Sequence, residues 1–216
     1  MNTTKQAQNI AAPDAGDDGE AVPGTAQTTD FTPNLNIVQP ADVGWFVAVV
    51  RVNCEKRIAD SMQYNLNHDG IWFEYWVPEV KTVVIDKRTN KRKIKEKIFL
   101  TTFIFCRISR AKLDHIRFRS DVYKMLTMPG QSRIHQIPDA ELNSYRRFVE
   151  DTDSEVSAAP VPLKKGIKVR IIGGNLKGLE AYVQRYNGKH AIIGNEIRYI
   201  SGATIKISRQ LLEVVS

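Results

Sequence analysis

The sequence predicts an α+β fold, an antiparallel sheet with helices packed on one face, followed by a small C-terminal β-barrel. Three observations predict it. Between residues 44 and 149, short aromatic and β-branched runs alternate with stretches whose apolar residues recur at helical spacing, in the order strand, helix, strand, strand, helix, strand, helix. From residue 166 the rhythm changes. Gly166-x-x-Val169-Arg170-Ile171-Ile172-x-Gly174-x-Leu176-x-Gly178-x-x-Ala181-x-Val183 sets β-branched strands around a Gly-rich turn, with no helical period. Between the two lies the acidic, Ala- and Pro-containing stretch EDTDSEVSAAPVP, which has neither period and reads as a flexible linker. The domains are therefore a leader over 1–40, an α+β domain over 41–149, a linker over 150–162 and a barrel over 163–216.

Each element has a local reason. Residues 1–40 are rich in Ala, Thr, Asn, Asp, Gly and Pro and lack apolar periodicity, which predicts an acidic, disordered leader. Gly44-Trp45-Phe46-Val47-Ala48-Val49-Val50-Arg51 predicts a buried strand. Asn53 is placed to cap a helix over Cys54–Asn67, whose stripe is Ile58, Met62 and Leu66 and whose stop is Asn67-His68-Asp69-Gly70. Tyr75–Ile85 predicts a second strand, with Pro78 marking an edge or bulge. Thr89-Asn90, inside the charged run from Asp86 to Lys97, predicts a hairpin tip, and Ile98–Ile108 predicts the most apolar strand. Ser109 caps a helix over 110–119, Val122–Leu126 is a short strand, and Pro138-Asp139-Ala140-Glu141 opens a helix that turns Leu142, Tyr145 and Val149 inward. In the last segment, strands are predicted around 167–172, 180–186, 189–193, 197–200 and 204–208. Turns fall at Gly173-Gly174, Asn187-Gly188 and Gly194-Asn195.

Charge is segregated. The leader has five acids against Lys5, and residues 151–160 have three acids and no base. Residues 41–150 hold 20 Lys+Arg against 13 acids, and residues 161–216 hold 10 against 3. Two basic folded regions are the electrostatic footprint of a nucleic-acid partner. The hairpin run 87–97 is the densest part, with seven cations against Asp86 and Glu96. Lys87, Arg88, Lys91, Arg92 and Lys93 suit phosphate contacts that carry no sequence information, or a solvated edge hairpin whose lysines block aggregation. Arg117, Arg119 and Lys124 suit tracking of upstream or non-template DNA.

Other classes are disfavoured. His68, His115, His135 and His190 are scattered and form no H-x-x-x-H pair, and Cys54 and Cys106 stand alone, so neither a metal site nor a disulfide framework is predicted. No G-x-S-x-G motif or phosphate-binding loop with Lys occurs, and Gly173-Gly174 with Lys177 precedes no helix. A non-enzyme without cofactor or metal is expected. No apolar run approaches the ~20 residues of a membrane span, and the N-terminal residues lack the apolar core of a secretory signal. A cytoplasmic protein is expected.

The residues also carry a resemblance. Trp45-Phe46-Val47 followed by Cys54-Glu55-Lys56-Arg57-Ile58-Ala59, then Val77-Pro78 with the Phe99–Phe105 segment, then Val169-Arg170-Ile171 through Val183, resemble in order and spacing the NusG family of transcription elongation and antitermination factors. The likeness is greatest to its specialised paralogues of the RfaH and UpxY type. It extends over residues 44–216, and the last segment is similar to the family's KOW motif. Leu100-Thr101 stands where the family has Pro-Gly, Thr102 where it has Tyr, and Ala181 where the KOW motif has its second Gly.

The resemblance implies an N-terminal domain that docks on the clamp of the largest RNA polymerase subunit through an apolar pocket, with Trp45, Phe99, Leu100 and Thr102 on that surface. Trp45 and Phe99 fit equally the ordinary core of a small sheet. It also implies contact with the DNA and RNA of the elongation complex. The KOW domain would grip a ribosomal protein or termination factor Rho through Leu176, Tyr199 and Ile200, although Leu176 also suits the cap of the barrel mouth. The implied function is transcription antitermination, raised processivity at particular operons. A ribosome-associated, RNA-binding KOW protein is the alternative. Helical refolding of the last domain, which some relatives undergo, is disfavoured by its β-branched, Gly-rich composition.

Overall fold

Strand β1 (Val43–Val50) lies inside a four-stranded antiparallel sheet of order β2-β5-β1-β6, formed with β2 (Glu74–Trp76), β5 (Phe103–Ser109) and β6 (Val122–Met125). The computed structural model describes residues 37–159, 161–163 and 166–215. The expected disordered leader therefore falls largely outside the described residues, and residues 37–40 carry no regular structure.

Alternation along β1 and β5 explains why both strands are apolar throughout. Phe46, Ala48, Val50, Ile104, Cys106 and Ile108 face one side, while Trp45, Val47 and Phe105 face the other, and all are buried. The first side packs on helix α1 (Glu55–His68) through Ile58, Ala59, Met62 and Leu66, and on the short helix α2 (Asp114–Arg117) through Ile116. The second side receives helix α3 (Asp139–Glu150), whose Leu142, Tyr145, Phe148 and Val149 are all buried. Helices thus cover both faces of the sheet, where the sequence predicted one. Asn53 is not the helix cap. It sits at φ +60°, a left-handed conformation Asn tolerates, and Cys54 takes the cap position.

Two predicted strands are interrupted. Pro78 lacks an N–H for the ladder, so the 75–85 strand breaks into β2 and β3 (Glu79–Ile85). Strand β3 leaves the main sheet and pairs with β4 (Arg92–Ile98) as a separate two-stranded hairpin, with Asn90 at φ +52° in its tip. The predicted 98–108 strand divides likewise. Residues 99–102 form a turn with Thr102 at φ +72°, and β5 begins at Phe103. The helix predicted over 110–119 shrinks to a 3-10 turn over Arg110–Lys112 and the four residues of α2.

The C-terminal part is a six-stranded antiparallel sheet, order β12-β8-β9-β10-β11-β7. It comprises β8 (Lys168–Ile171), β9 (Glu180–Asn187), β10 (His190–Ile197), β11 (Ser201–Ser208) and β12 (Leu212–Val214). Its sixth member, β7 (Val156–Ala159), comes from the stretch expected to be a flexible linker and pairs with β11 from Gly202 to Ile205. The small side chains of Ser157, Ala158 and Ala159 after Val156 let this segment lie along that edge. The turn predicted at Gly194-Asn195 lies within β10. There a Cβ on Gly194 would come within 2.9 Å of Leu163, so its glycine serves close packing, and the turn falls at Arg198–Ile200 with Tyr199 at φ +66°. The Asn187-Gly188 hairpin is present.

The sheet packs against α3. One apolar cluster runs from Trp45, Trp76, Phe105 and Tyr145 to Val169, Ile171, Ile193 and Ile205. Polar contacts fix the docking. The hydroxyls of Tyr145 and Ser201 are 2.9 Å apart, Asn195 Nδ2 donates to Ser144 Oγ at 2.8 Å, and the Arg198 amide donates to Glu141 Oε1 at 2.5 Å.

Candidate partner-binding and nucleic-acid surfaces

The aromatic face of the four-stranded sheet is built by strand alternation. Trp76 lies 4.9 Å from Phe105 and 6.4 Å from Tyr145, centroid to centroid, in tilted and edge-on geometry. The guanidinium of Arg107 sits 5.7 Å from the Trp45 ring centre and 6.0 Å from that of Trp72, and it is paired with Glu74 and Asp139. Trp45 is 3% and Leu100 9% exposed, while Phe99 and Thr102 are half-buried. Of the four residues expected to form an open pocket, two are therefore core in this arrangement, with α3 and the C-terminal sheet in the same cluster.

The turn carrying Phe99, Leu100 and Thr102 is held from inside. Glu55, fully buried in the first turn of α1, accepts the Thr102 amide at 2.6 Å through Oε1. Val50 N–H donates to the Thr102 carbonyl at 2.8 Å, and Phe99 N–H to the Pro78 carbonyl at 2.8 Å. Sequence reasoning missed Glu55 as a support for this turn, and it missed Trp76, Phe103 and Phe105 as the aromatic wall. The alternation of Phe103 and Phe105 was the signal available for the latter.

The β3–β4 hairpin presents Lys87, Arg88, Lys91, Arg92 and Lys93 at exposed positions. Asp86 organises its tip, accepting the amides of Arg88 and Thr89 at 2.9 and 3.3 Å and pairing with Lys93 at 2.6 Å. The Lys93 ammonium and these amides hold the Asp86 carboxyl below the usual carboxylate range. The other expected cations diverge. Arg117 stacks 5.3 Å from the exposed ring of Phe118, and Lys124 is exposed. Arg119 is committed internally, bonding Asp121 at 2.8–2.9 Å and Ser61 at 3.1 Å, so its guanidinium is not a free cation.

On the C-terminal sheet, Leu176 is 5% exposed and belongs to the core. Its turn closes through Lys177 N–H to Gly174 O, Gly178 N–H to Ile171 O and Leu179 N–H to Leu176 O, which buries the side chain rather than presenting it. Tyr199 is exposed, and Ile200 packs partly against the shared cluster. Among the described residues no cluster of His, Cys, Asp or Glu could hold a metal ion, and no helix is long and apolar enough to cross a membrane.

Residues 44–146 match the family described as transcription termination factor NusG. Solved structures that resemble the chain include one on domain interaction in Thermotoga maritima NusG, at 13% identity. It covers 81% of this chain and 98% of that one, with a TM-score of 0.45. Two conformations of the MjSpt4:Spt5 complex resemble it at 18% and 17% identity. Each covers 80% of this chain and 98% and 97% of the other, with TM-scores of 0.28 and 0.30. Comparison with curated proteins gives no match.

Proposed function

We propose that this protein is a transcription elongation and antitermination factor that binds the clamp of RNA polymerase and raises its processivity at particular operons. It is proposed to be a specialised, cytoplasmic, non-enzymatic member of the RfaH and UpxY type. The observation that carries the proposal is the NusG-family match over residues 44–146. That segment brings an aromatic sheet face and a cationic hairpin together on one domain. A helical tip needs a rigid, aromatic-lined acceptor, and the wall of Trp45, Trp76 and Phe105 with the turn of Phe99, Leu100 and Thr102 has that chemistry. Bound there, the factor acts by population shift, favouring the elongating state of polymerase over the paused one.

Burial of Trp45 and Leu100 beside α3 implies that polymerase gains this face when the C-terminal sheet gives it up. The hairpin cations would then lie along nucleic acid of the elongation complex. The C-terminal sheet, with β8 to β12 as its KOW-type barrel, is proposed to recruit a ribosomal protein or Rho, with Tyr199 and Ile200 as contact residues. Retention of purified core RNA polymerase by the immobilised full chain tests the proposal. Polymerase recovered in the flow-through from both the full chain and a variant with its C-terminal sheet undocked, with ribosomal subunits retained instead, would favour an RNA-binding KOW protein.

A further inference from the structure

The segment between β6 and α3, together with Arg110 from the turn after β5, lines an open hollow of about 280 Å³ whose polar residues are Arg110, Gln131, Arg133, His135 and Gln136. Met128 and Ile134 complete it, and no carboxylate lines it. The larger groove between the β3–β4 hairpin and the end of α3 is the opposite in character, with Glu79, Glu96, Glu150, Asp153 and Glu155 in its walls.

The hollow is held open by its surroundings. A Cβ on Gly44 would lie 2.4 Å from Gln136 Nε2 and 2.7 Å from Cδ, so the missing side chain is what allows Gln136 to lie across β1. Gln136 Oε1 accepts a hydrogen bond from Arg110 Nη2 at 3.1 Å, and the Arg110 guanidinium stands 5.1 Å from the ring centre of Phe46. These contacts orient the cation without neutralising it. The His135 amide donates to the Leu126 carbonyl and the Ile137 amide to the Trp45 carbonyl, both at 2.9 Å, which ties the segment to the sheet.

Two features are left unanswered by the protein itself. Arg110 and Arg133 have no carboxylate at ion-pair distance among the described residues, a state they share with other arginines such as Arg117, but here the two converge on one hollow. His135 Nε2 is buried with no hydrogen-bond partner. A buried ring nitrogen in this state costs free energy unless something else satisfies it. Two guanidiniums, an imidazole and two side-chain amides with no opposing acid form a donor set for an oxyanion. A carboxylate has two oxygens and is satisfied by one Arg fork. A phosphate offers more oxygens and more charge, and it uses donors arriving from several directions.

We propose that the hollow lined by Arg110, Arg133 and His135 is a binding site for a phosphate group, carried either by a nucleic-acid backbone or by a small phosphate compound. It lies outside the residues invoked for polymerase docking and does not depend on that function.

The test uses the full chain at constant ionic strength, with backbone amide resonances as the readout. Probes are inorganic phosphate, a short single-stranded oligonucleotide, and chloride as the control. Saturable shifts at residues 128–136 with phosphate or oligonucleotide, absent with chloride, are expected. Arg133→Gln, at an exposed position that leaves the fold intact, and Arg110→Gln are each expected to weaken binding about tenfold, the scale of one charge-assisted hydrogen bond. Saturation by the oligonucleotide at concentrations tenfold or more below phosphate assigns the group to a nucleic-acid backbone, and equal or tighter binding of phosphate assigns it to a small compound. No saturable shift with either probe, or unchanged midpoints in both variants, overturns the proposal.

Discussion

The docking of the C-terminal sheet on α3 is most directly probed at the Tyr145–Ser201 hydrogen bond. The two oxygens are 2.9 Å apart, Tyr145 is fully buried, and Ser201 is 7% exposed. Tyr145→Phe leaves a serine hydroxyl buried without its partner, and Ser201→Ala leaves a phenol in the same state. Each is expected to cost ~1–3 kcal/mol, the desolvation penalty of an orphaned polar group. The double variant removes both groups together, so its loss should fall short of the sum of the single losses by about 1 kcal/mol. Urea unfolding of the full chain and the three variants supplies the cycle. Losses that add to within about 0.3 kcal/mol would refute the docking described here. The same tyrosine gives a pH signature. Burial pushes the Tyr145 phenol up to about 12 from 10.0, with Ser201 acting the other way. The folded state thus holds its proton more tightly than the unfolded chain. The associated stability is complete below pH 10 and is lost as pH rises through 12, a loss of ~2.7 kcal/mol that Tyr145→Phe should abolish.

Further outcomes follow from single positions. A Cβ on Gly166 would lie 2.0 Å from the Val183 carbonyl oxygen, a backbone atom that cannot step aside, so Gly166→Ala should lower stability by ~1–3 kcal/mol in urea titration; an unchanged midpoint would contradict the packing. Burial raises the Cys106 thiol to about 12, while Cys54 is only half-buried, so a maleimide at pH 7 should label Cys54 and spare Cys106 until the protein unfolds, as read by mass spectrometry of the peptides. Replacing Lys91, Arg92 and Lys93 by Glu should weaken binding to an elongation complex while leaving binding to free polymerase unchanged. Equal affinity for the complex before and after would remove the hairpin from nucleic-acid contact.

Much of the fold was legible where local pattern and tertiary packing agree. The stripe Ile58, Met62 and Leu66, the apolar run at β1 and the Asn187-Gly188 turn all reached their predicted roles because each buries or turns the chain by itself. The misplaced boundaries share a cause. Pro78 and the left-handed turns at Thr102 and Tyr199 divide stretches whose composition is uniformly strand-like, and nothing in hydrophobicity marks the break. Linker composition likewise concealed β7, since Val156–Ala159 becomes a strand only by pairing with β11. Among site residues, the hairpin cations were legible as a charge run. The tie of Arg119 to Ser61 and the support of Thr102 by Glu55 were not, because each depends on a residue distant in sequence, and for Leu176 the burial observed is the barrel-capping alternative rather than the partner contact.

The central proposal meets its most direct test in equilibrium binding of purified core RNA polymerase to the full chain and to a variant, Ser201→Arg, in which a charge forced against Tyr145 undocks the C-terminal sheet. Saturable binding that is tighter for Ser201→Arg and is lost when the half-buried Phe99 and Phe103 are replaced by Ala, in a chain that remains folded, is expected. Absence of saturable binding by both the full chain and the undocked variant would contradict it.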